Sequence, residues 1–436
     1  MDTTTVDRSR TSGAAPAPSP VAPPSRTATV PLLAVWTIAA YALVALALLP
    51  DGSPTVAGRV TSSVVVLAVA AIFHLAIRRE VLGVGALMTV AGSAMLAVAG
   101  GVVAPRVLAG ITAREILGIA AVVGGIVLFV RGWATVLQRF RWRTVRIAIG
   151  AMVTLVVAQF VLLPVGAALV ATHRVRPTSG GATPADHGFA FEDVRIAADD
   201  GVALAAWWVP SRNGAAVIVL PGAGSTRDDV LPQASFVAGH GYGVLLLDAR
   251  GHGESGGRSM EFGWGHERDV GAAISWVLGR PGVDRVGLYG MSMGGEVALT
   301  TAAADPRVDA VVAEGASGRT WDDAAHEPDP HLVGLANTWL MFHVVGLLTP
   351  VAPPDPLLDL VPAIEAPTLL IAGSPANERS LDRLYADAAP TIVTLWEIPA
   401  APHVGGLGTE PRAYPGRVLA HLDAALLDRG AVGVAT

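Results

Sequence analysis

Two serines sit in the spacing Gly-x-Ser-x-Gly: Ser292 in Gly290-Met-Ser-Met-Gly294 and Ser255 in Gly253-Glu-Ser-Gly-Gly257. A serine hydroxyl attacks a carbonyl only when a neighbouring base takes its proton, and a sharp turn from strand to helix is one way to present it. Glycine accounts for 49 of 436 residues, so the pattern alone decides little. Context separates the two. Ser292 follows the apolar run Val286-Gly-Leu-Tyr and precedes Glu296-Val-Ala-Leu-Thr-Thr-Ala-Ala-Ala, which suits a helix. Flanking glycines let neighbouring backbone pass close by, and a helix N-terminus favours negative charge. A plain helix-capping serine is the simpler alternative. Ser255 has no strand before it. With no cysteine in the chain, thiol nucleophiles, thiolate metal sites and disulfides are all excluded.

Two further motifs precede the elbow, each directly after an apolar run. Asp248-Ala-Arg-Gly-His-Gly-Glu-Ser255 resembles the D-x-R-G-x-G-x-S loop of the α/β-hydrolase superfamily, and Pro221-Gly-Ala-Gly224 resembles its H-G-x-G oxyanion loop, with Pro221 where histidine is common. Their order along the chain is more specific than any one motif. The resemblance covers residues 189–430, looks most like the serine-peptidase-like and dienelactone-hydrolase-like esterase branches, and implies a fold and a set of roles. The backbone N–H groups of Met293 and Ala223 would form the oxyanion hole, whose donors act on charge that develops in the transition state.

The resemblance also orders the remaining partners as Ser, acid, His along the chain. Of eleven histidines, His403 lies between the last apolar run and the final helical stretch, among small residues (Ala400-Ala-Pro-His-Val-Gly-Gly). His252, in the loop that the superfamily uses structurally, precedes the nucleophile and reads as structural. The acid departs from the superfamily's pattern. After Thr368-Leu-Leu-Ile-Ala-Gly373 the chain reads Ser374-Pro-Ala-Asn-Glu378-Arg-Ser-Leu-Asp382. Glu378 is the nearest carboxylate and the expected triad member. Glu314, at the end of an earlier strand, is the alternative, and Asp382 falls inside the next helix.

The elements that must position these groups alternate. Val194–Ile196 and Val202–Val209 read as a hairpin around Asp199-Asp-Gly. Short β-type runs follow at Ala216–Leu220, Gly243–Leu247, Val286–Tyr289, Val308–Ala313, Thr368–Ala372 and Thr391–Ile398. Helical stretches at Val230–His240, Trp264–Leu278, Gly294–Ala304, Ser380–Ala388 and Tyr414–Leu427 separate most of them. The fold class is therefore α/β, a doubly wound, mostly parallel sheet covered on both faces. Residues 317–360 fall where the superfamily inserts a lid. His331-Leu-Val-Gly-Leu-Ala-Asn-Thr-Trp-Leu-Met-Phe-His-Val-Val-Gly-Leu-Leu there is strongly apolar, suited to an acyl pocket, a membrane contact or a buried helix.

The N-terminal third differs in kind. Over the whole chain apolar residues reach 52% and charged residues only 15%, too apolar for an ordinary soluble protein. Residues 1–29, rich in Thr, Ser, Ala and Pro, read as a disordered tail. Residues 30–172 hold five apolar runs, Pro31–Leu49, Val60–Ile77, Val81–Val103, Ile116–Val130 and Ile147–Ala171, most near the ~20 residues needed to cross a bilayer. An α-helical transmembrane bundle is expected, acting as an anchor because ionisable residues within it are nearly lacking. The tail and alternate loops carry ten arginines against five on the other side. The positive-inside rule then places the tail in the cytoplasm and the C-terminal domain outside the cell membrane. Residues 173–188 read as a polar linker and 189–430 as the catalytic domain.

The expected function is membrane-anchored acyl transfer to water by a Ser-His-acid triad, on an ester, thioester or lipid-like substrate, with peptides as a further possibility. Acyl transfer to another acceptor and a non-catalytic membrane scaffold are the alternatives. The expected partners are a small-molecule or lipid-like acyl substrate and the lipid bilayer. A net charge of −6 without basic blocks gives no sign of a nucleic-acid partner. No metal, nucleotide or flavin signature appears, so no cofactor is implied.

Overall fold

The run Ala-Ala-Val-Ile-Val-Leu over Ala215–Leu220 has no polar side chain, and all of it is buried. Such a strand belongs inside a parallel sheet covered on both faces. The computed structural model describes residues 113–137, 155–173, 176–257, 260–327, 332–349 and 351–428, with isolated positions at 85, 88, 89, 92, 150 and 152. The strands are β1 Glu192–Ala197, β2 Ala203–Val209, β3 Ala215–Leu220, β4 Gly243–Leu247, β5 Arg285–Met291, β6 Val308–Glu314, β7 Thr368–Ala372 and β8 Val393–Glu397. They form one sheet in the order β1-β2-β4-β3-β5-β6-β7-β8. The β1–β2 hairpin joins β4 antiparallel, and the remaining pairs are parallel.

The helices are α1 Ala113–Leu137, α2 Leu163–His173, α3 Leu231–Gly239, α4 Glu267–Leu278, α5 Met293–Ala304, α6 Trp321–Ala325, α7 Leu332–Leu348, α8 Ala376–Ala388 and α9 Ala413–Leu426, with four-residue turns of helix at Leu357–Leu360 and Gly406–Thr409. Alternate strand residues face opposite sides. Ala216, Ile218 and Leu220 pack with Leu245, Leu288 and Leu370 beneath α4, α5 and α8. Val217 and Val219 pack with Leu246, Val312 and Ile371 beneath α3 and α9. Truncating a fully buried aliphatic such as Ile218 to alanine would cost about 2–5 kcal/mol. The parallel strands turn back at one edge. Pro221–Gly224, Ser292, Gly373 and His403 follow strand ends there, and Glu314 is the last residue of β6, as expected for sites on open α/β sheets.

Two expected boundaries move. The helix after β7 opens at Ala376 rather than Ser380, because Pro375 stands at its N-cap with extended backbone and Glu378 falls in its first turn. Glu378 is thus a helix residue and not part of a free loop. The segment expected as a linker is docked. The Arg176 guanidinium donates to the carbonyls of Ser255 and Gly257, the Gly253 N–H donates to Pro177 O at 3.0 Å, and the Gly180 N–H donates to Asp228.

The runs Pro31–Leu49 and Val60–Ile77 lie outside the described residues, as does Val81–Val103 apart from four positions. The fourth run lies within α1, a longer helix than expected. Of the fifth, Leu155–Thr172 is the one helix among the described residues that is long and apolar enough to cross a membrane. Pro164 supplies no N–H, and the preceding turn Ala158–Leu162 widens so that the Leu163 N–H reaches Ala158 O. Backbones come close where glycines permit it. A Cβ on Gly92 would stand 2.7 Å from Gly125 O, and one on Gly132 2.5 Å from Thr89 N.

Candidate active site

Ser292 joins β5 to α5 with φ 52° and ψ −121°, a left-handed conformation costly for a residue with a side chain, of order 1–3 kcal/mol. Two glycines make the turn possible. A Cβ on Gly290 would run into Gly294 O, and one on Gly294 would run into Leu220 O. The Ser292 N–H donates to Glu314 O at 2.7 Å, which fixes the turn to the end of β6.

His403 bridges two of the expected partners. Its Nε2 lies 2.9 Å from Ser292 Oγ, and its Nδ1 lies 2.7 Å from Glu378 Oε2. Glu378 is 1% exposed, and its other oxygen accepts the Gly373 N–H at the end of β7. Nδ1–H donating to the carboxylate leaves Nε2 free to accept the serine proton. The Glu378 hydrogen bond raises the pKa of His403 above the usual histidine value, against the opposing effect of partial burial. Gly315, at φ 70°, leaves room for the ring: a Cβ there would meet His403 Cε1 at 2.9 Å.

Glu314 does not reach the imidazole by hydrogen bond. Its oxygens accept the Gly406 N–H, at 2.7 Å, and the Tyr414 hydroxyl, which also pairs with Tyr289 at 2.7 Å. Burial raises its pKa. Asp382 sits one turn beyond Glu378 on α8, fully buried, with both carboxyl oxygens unpartnered, and burial holds it well above the usual carboxylate range. Glu296 in α5, which accepts the Ser317 hydroxyl at 2.8 Å, is pushed up to about 7 by burial.

The two expected oxyanion donors are the N–H groups of Met293 and Ala223. Met293 is the first residue of α5, so its N–H has no acceptor within the helix. The Pro221–Gly224 loop presses against the elbow: a Cβ on Gly222 would lie 3.3 Å from both Met291 O and Ser292 Cβ. His252 holds this loop from behind. Its Nδ1 lies 2.9 Å from Arg250 O, and its Nε2 accepts the Gly224 N–H at 3.0 Å. Asp248 takes the Arg227 N–H at 2.8 Å and the Glu254 N–H at 3.0 Å. Ser255 is fully buried, accepting from Ala205 N–H at 2.8 Å and donating to Asp248 O at 2.7 Å. No free hydroxyl remains there for chemistry.

Sequence reasoning missed the contact between Gly373 and Glu378, because it needs the helix to open at Ala376. It also missed Arg319, buried and donating to Gly263 O at 2.7 Å, which ties the segment after β6 to the loop before α4. An isolated arginine in a stretch of loop gives no warning of burial.

The strand order, the strained serine turn and the acid–histidine bridge after β7 and β8 are those of an α/β-hydrolase fold. The chain is similar in part to several known proteins. Residues 171–375 match the X-Pro dipeptidyl-peptidase (S15) family, a match that includes Ser292 and ends before Glu378 and His403. An uncharacterized protein of Mycobacterium tuberculosis is 30% identical over 186 residues, 42% of this chain and 60% of that protein. A polyketide transferase of a Penicillium species is 35% identical over 134 residues, 28% of this chain and 43% of that one. The chain thus spans about 60% or less of the length of these relatives. Among solved structures, a Pyrococcus furiosus esterase superposes with a TM-score of 0.48 at 26% identity, covering 58% of this chain and 98% of that one.

Proposed function

We propose that the chain is a membrane-anchored serine hydrolase that cleaves an ester or thioester of an acyl chain through Ser292, His403 and Glu378. The observation that carries this reading is the His403 ring, hydrogen-bonded to Ser292 Oγ on one side and Glu378 on the other. Ser292 Oγ bonds to the substrate carbonyl carbon as its proton passes to His403 Nε2. The oxyanion so formed is held by the N–H groups of Met293 and Ala223. The bond to the leaving alcohol or thiol then breaks, and that group takes the proton from His403. Water repeats the sequence on the acyl-enzyme, releasing a carboxylic acid and restoring Ser292. Glu378 keeps the ring in the tautomer that presents Nε2 as acceptor.

Anchoring rests on Leu155–Thr172, long and apolar enough to cross a membrane, and on the close glycine crossings of α1, the kind of packing that holds helices together in lipid. The arginine asymmetry orients the tail toward the cytoplasm and the hydrolase domain outward. A serine-directed fluorophosphonate tests the chemistry: it labels wild type and fails on Ser292→Ala. Single cysteines test the orientation in this cysteine-free chain. An impermeant maleimide applied to intact cells labels Ser179→Cys and spares Ser12→Cys, and the reverse result would invert the topology.

A further inference from the structure

Helix α7 has apolar residues on every side. Phe342 and Val345 are buried against Ala168 of α2 and Trp264. The opposite face is exposed and carries Leu332 (82% exposed), Val333, Trp339 and Leu347 (84% exposed). This helix lies against the apolar span and not at a distance from it. It contacts both the widened turn Ala158–Leu162 and α2, Leu163–His173. At ~1.5 Å per residue those stretches cover roughly 24 Å of helix, most of the ~30 Å thickness of a hydrocarbon core. A span that crosses a bilayer therefore brings α7 into it. The exposed face of α7 carries no charge, and its one titratable group, His343, donates Nδ1–H to Trp339 O at 2.7 Å and lies against the Trp339 ring, tilted by 35°.

The same contact leads to the catalytic serine. Phe342 packs on Phe262 with ring centroids 5.7 Å apart. Phe262 packs in turn with Met260, Met293 and Ala171, the last from α2 near its C-terminal end. An apolar path thus runs from α7 and the span to Met293, next to Ser292. Phe262 lies on that path with φ 52°, held in a strained conformation between the lid and the oxyanion residue.

We propose that α7 is a membrane-embedded lid, covered on its exposed face by the lipid bilayer, and that the site takes long-chain acyl esters directly from the membrane along the seam where α7 packs on the end of α2. This rests on the serine-hydrolase reading above and adds to it the source and class of substrate. A bilayer is the occupant the structure favours, because α7 packs on the span, whose Leu155, Val156, Val161 and Leu163 are exposed and apolar as well. A soluble partner would have to seat itself beside a lipid-covered helix.

The test uses the full-length protein in phosphatidylethanolamine/phosphatidylglycerol vesicles. A bimane fluorophore on Leu347→Cys is expected to be quenched by doxyl groups on lipid acyl chains and not by aqueous iodide. With 4-methylumbelliferyl oleate dissolved in the vesicles and 4-methylumbelliferyl acetate in the water, Leu347→Arg is expected to lower the oleate-to-acetate rate ratio at least tenfold. Quenching by iodide alone, or an unchanged ratio in a variant that still labels with fluorophosphonate, would overturn the lid while leaving the hydrolase reading intact. A disulfide-linked dimer of Leu347→Cys without lipid quenching would assign the face to a second copy of the chain and also overturn it. Failure of wild type to label at Ser292 would remove both readings together.

Discussion

Gly224 donates its backbone N–H to His252 Nε2 at 3.0 Å, so a buried histidine holds the loop that carries Ala223. The ring is fixed in turn by Arg250 O, 2.9 Å from Nδ1. His252 touches no reacting atom in this account; it positions a donor. His252→Ala is expected to lower kcat on the order of 10²-fold with little change in KM, the signature of an interaction made mainly in the transition state. His252→Gln, whose amide oxygen can accept the same N–H, should recover part of that loss. A rise in KM at constant kcat would show that the loop serves substrate binding instead.

The acid is tested by a pair of substitutions. Glu378→Gln leaves the imidazole without its carboxylate and is expected to reduce kcat by about 10³–10⁴. Glu314→Gln alters a buried network with Tyr414 and Gly406, so it should lower stability while folded protein keeps most of its activity. Denaturant unfolding of each variant, followed by kinetics at a temperature where both are folded, separates the two effects. Collapse of kcat in Glu314→Gln alone would move the acid to the end of β6.

The pH profile follows from His403. Its pKa lies above the ordinary value of 6.5, chiefly through the bond to Glu378. The ring acts as a base only when neutral, so kcat/KM should fall as pH drops through a midpoint above ~6.5. The effect on stability has the opposite sign. The charged pair favours the folded state below the unfolded pKa, and that contribution is lost as pH rises through the folded one. In Glu378→Gln the acidic limb of the residual activity should move toward lower pH; an unmoved limb would mean that another group sets it.

Much of this site is legible from the chain. The strand-before, helix-after setting separates Ser292 from Ser255 because backbone geometry, not the pattern of glycines, makes a serine reachable. His403 follows from chain order. The acid is harder, since Glu314 ends β6 and Glu378 follows β7 at the same sheet edge. What separates them is the reach of His403, a contact set by the loop after β8 and by a helix that opens four residues early, just after Pro375. Arg319, Glu296 and Asp382 are silent in sequence, because burial of a charged side chain depends on the packing of the segment after β6 against α5 and α8.

Asp382 gives a stability prediction. Its carboxyl is buried without a partner and holds its proton well above the usual carboxylate range. Between the unfolded value of 3.8 and that raised value the folded chain binds a proton that the unfolded chain has lost. Stability therefore falls as pH rises across this window, by up to about 1.4 kcal/mol for each pH unit crossed. Glu296, pushed up to about 7, adds a slope of the same sign. Asp382→Asn removes the Asp382 contribution. Its stability relative to wild type should increase from pH 4 to pH 8 in urea titrations, whereas a constant difference would show that Asp382 ionises normally.

The central claim is that Ser292 is a nucleophile activated by His403 and Glu378, and covalent capture measures this most directly. Wild-type protein treated with a fluorophosphonate and digested is expected to carry the adduct on the peptide containing Ser292. His403→Ala should slow its formation by at least roughly 10³-fold, in line with the loss of a triad base. Folded wild-type protein that forms no adduct, or an adduct that survives Ser292→Ala on another serine at the same rate, would contradict the account.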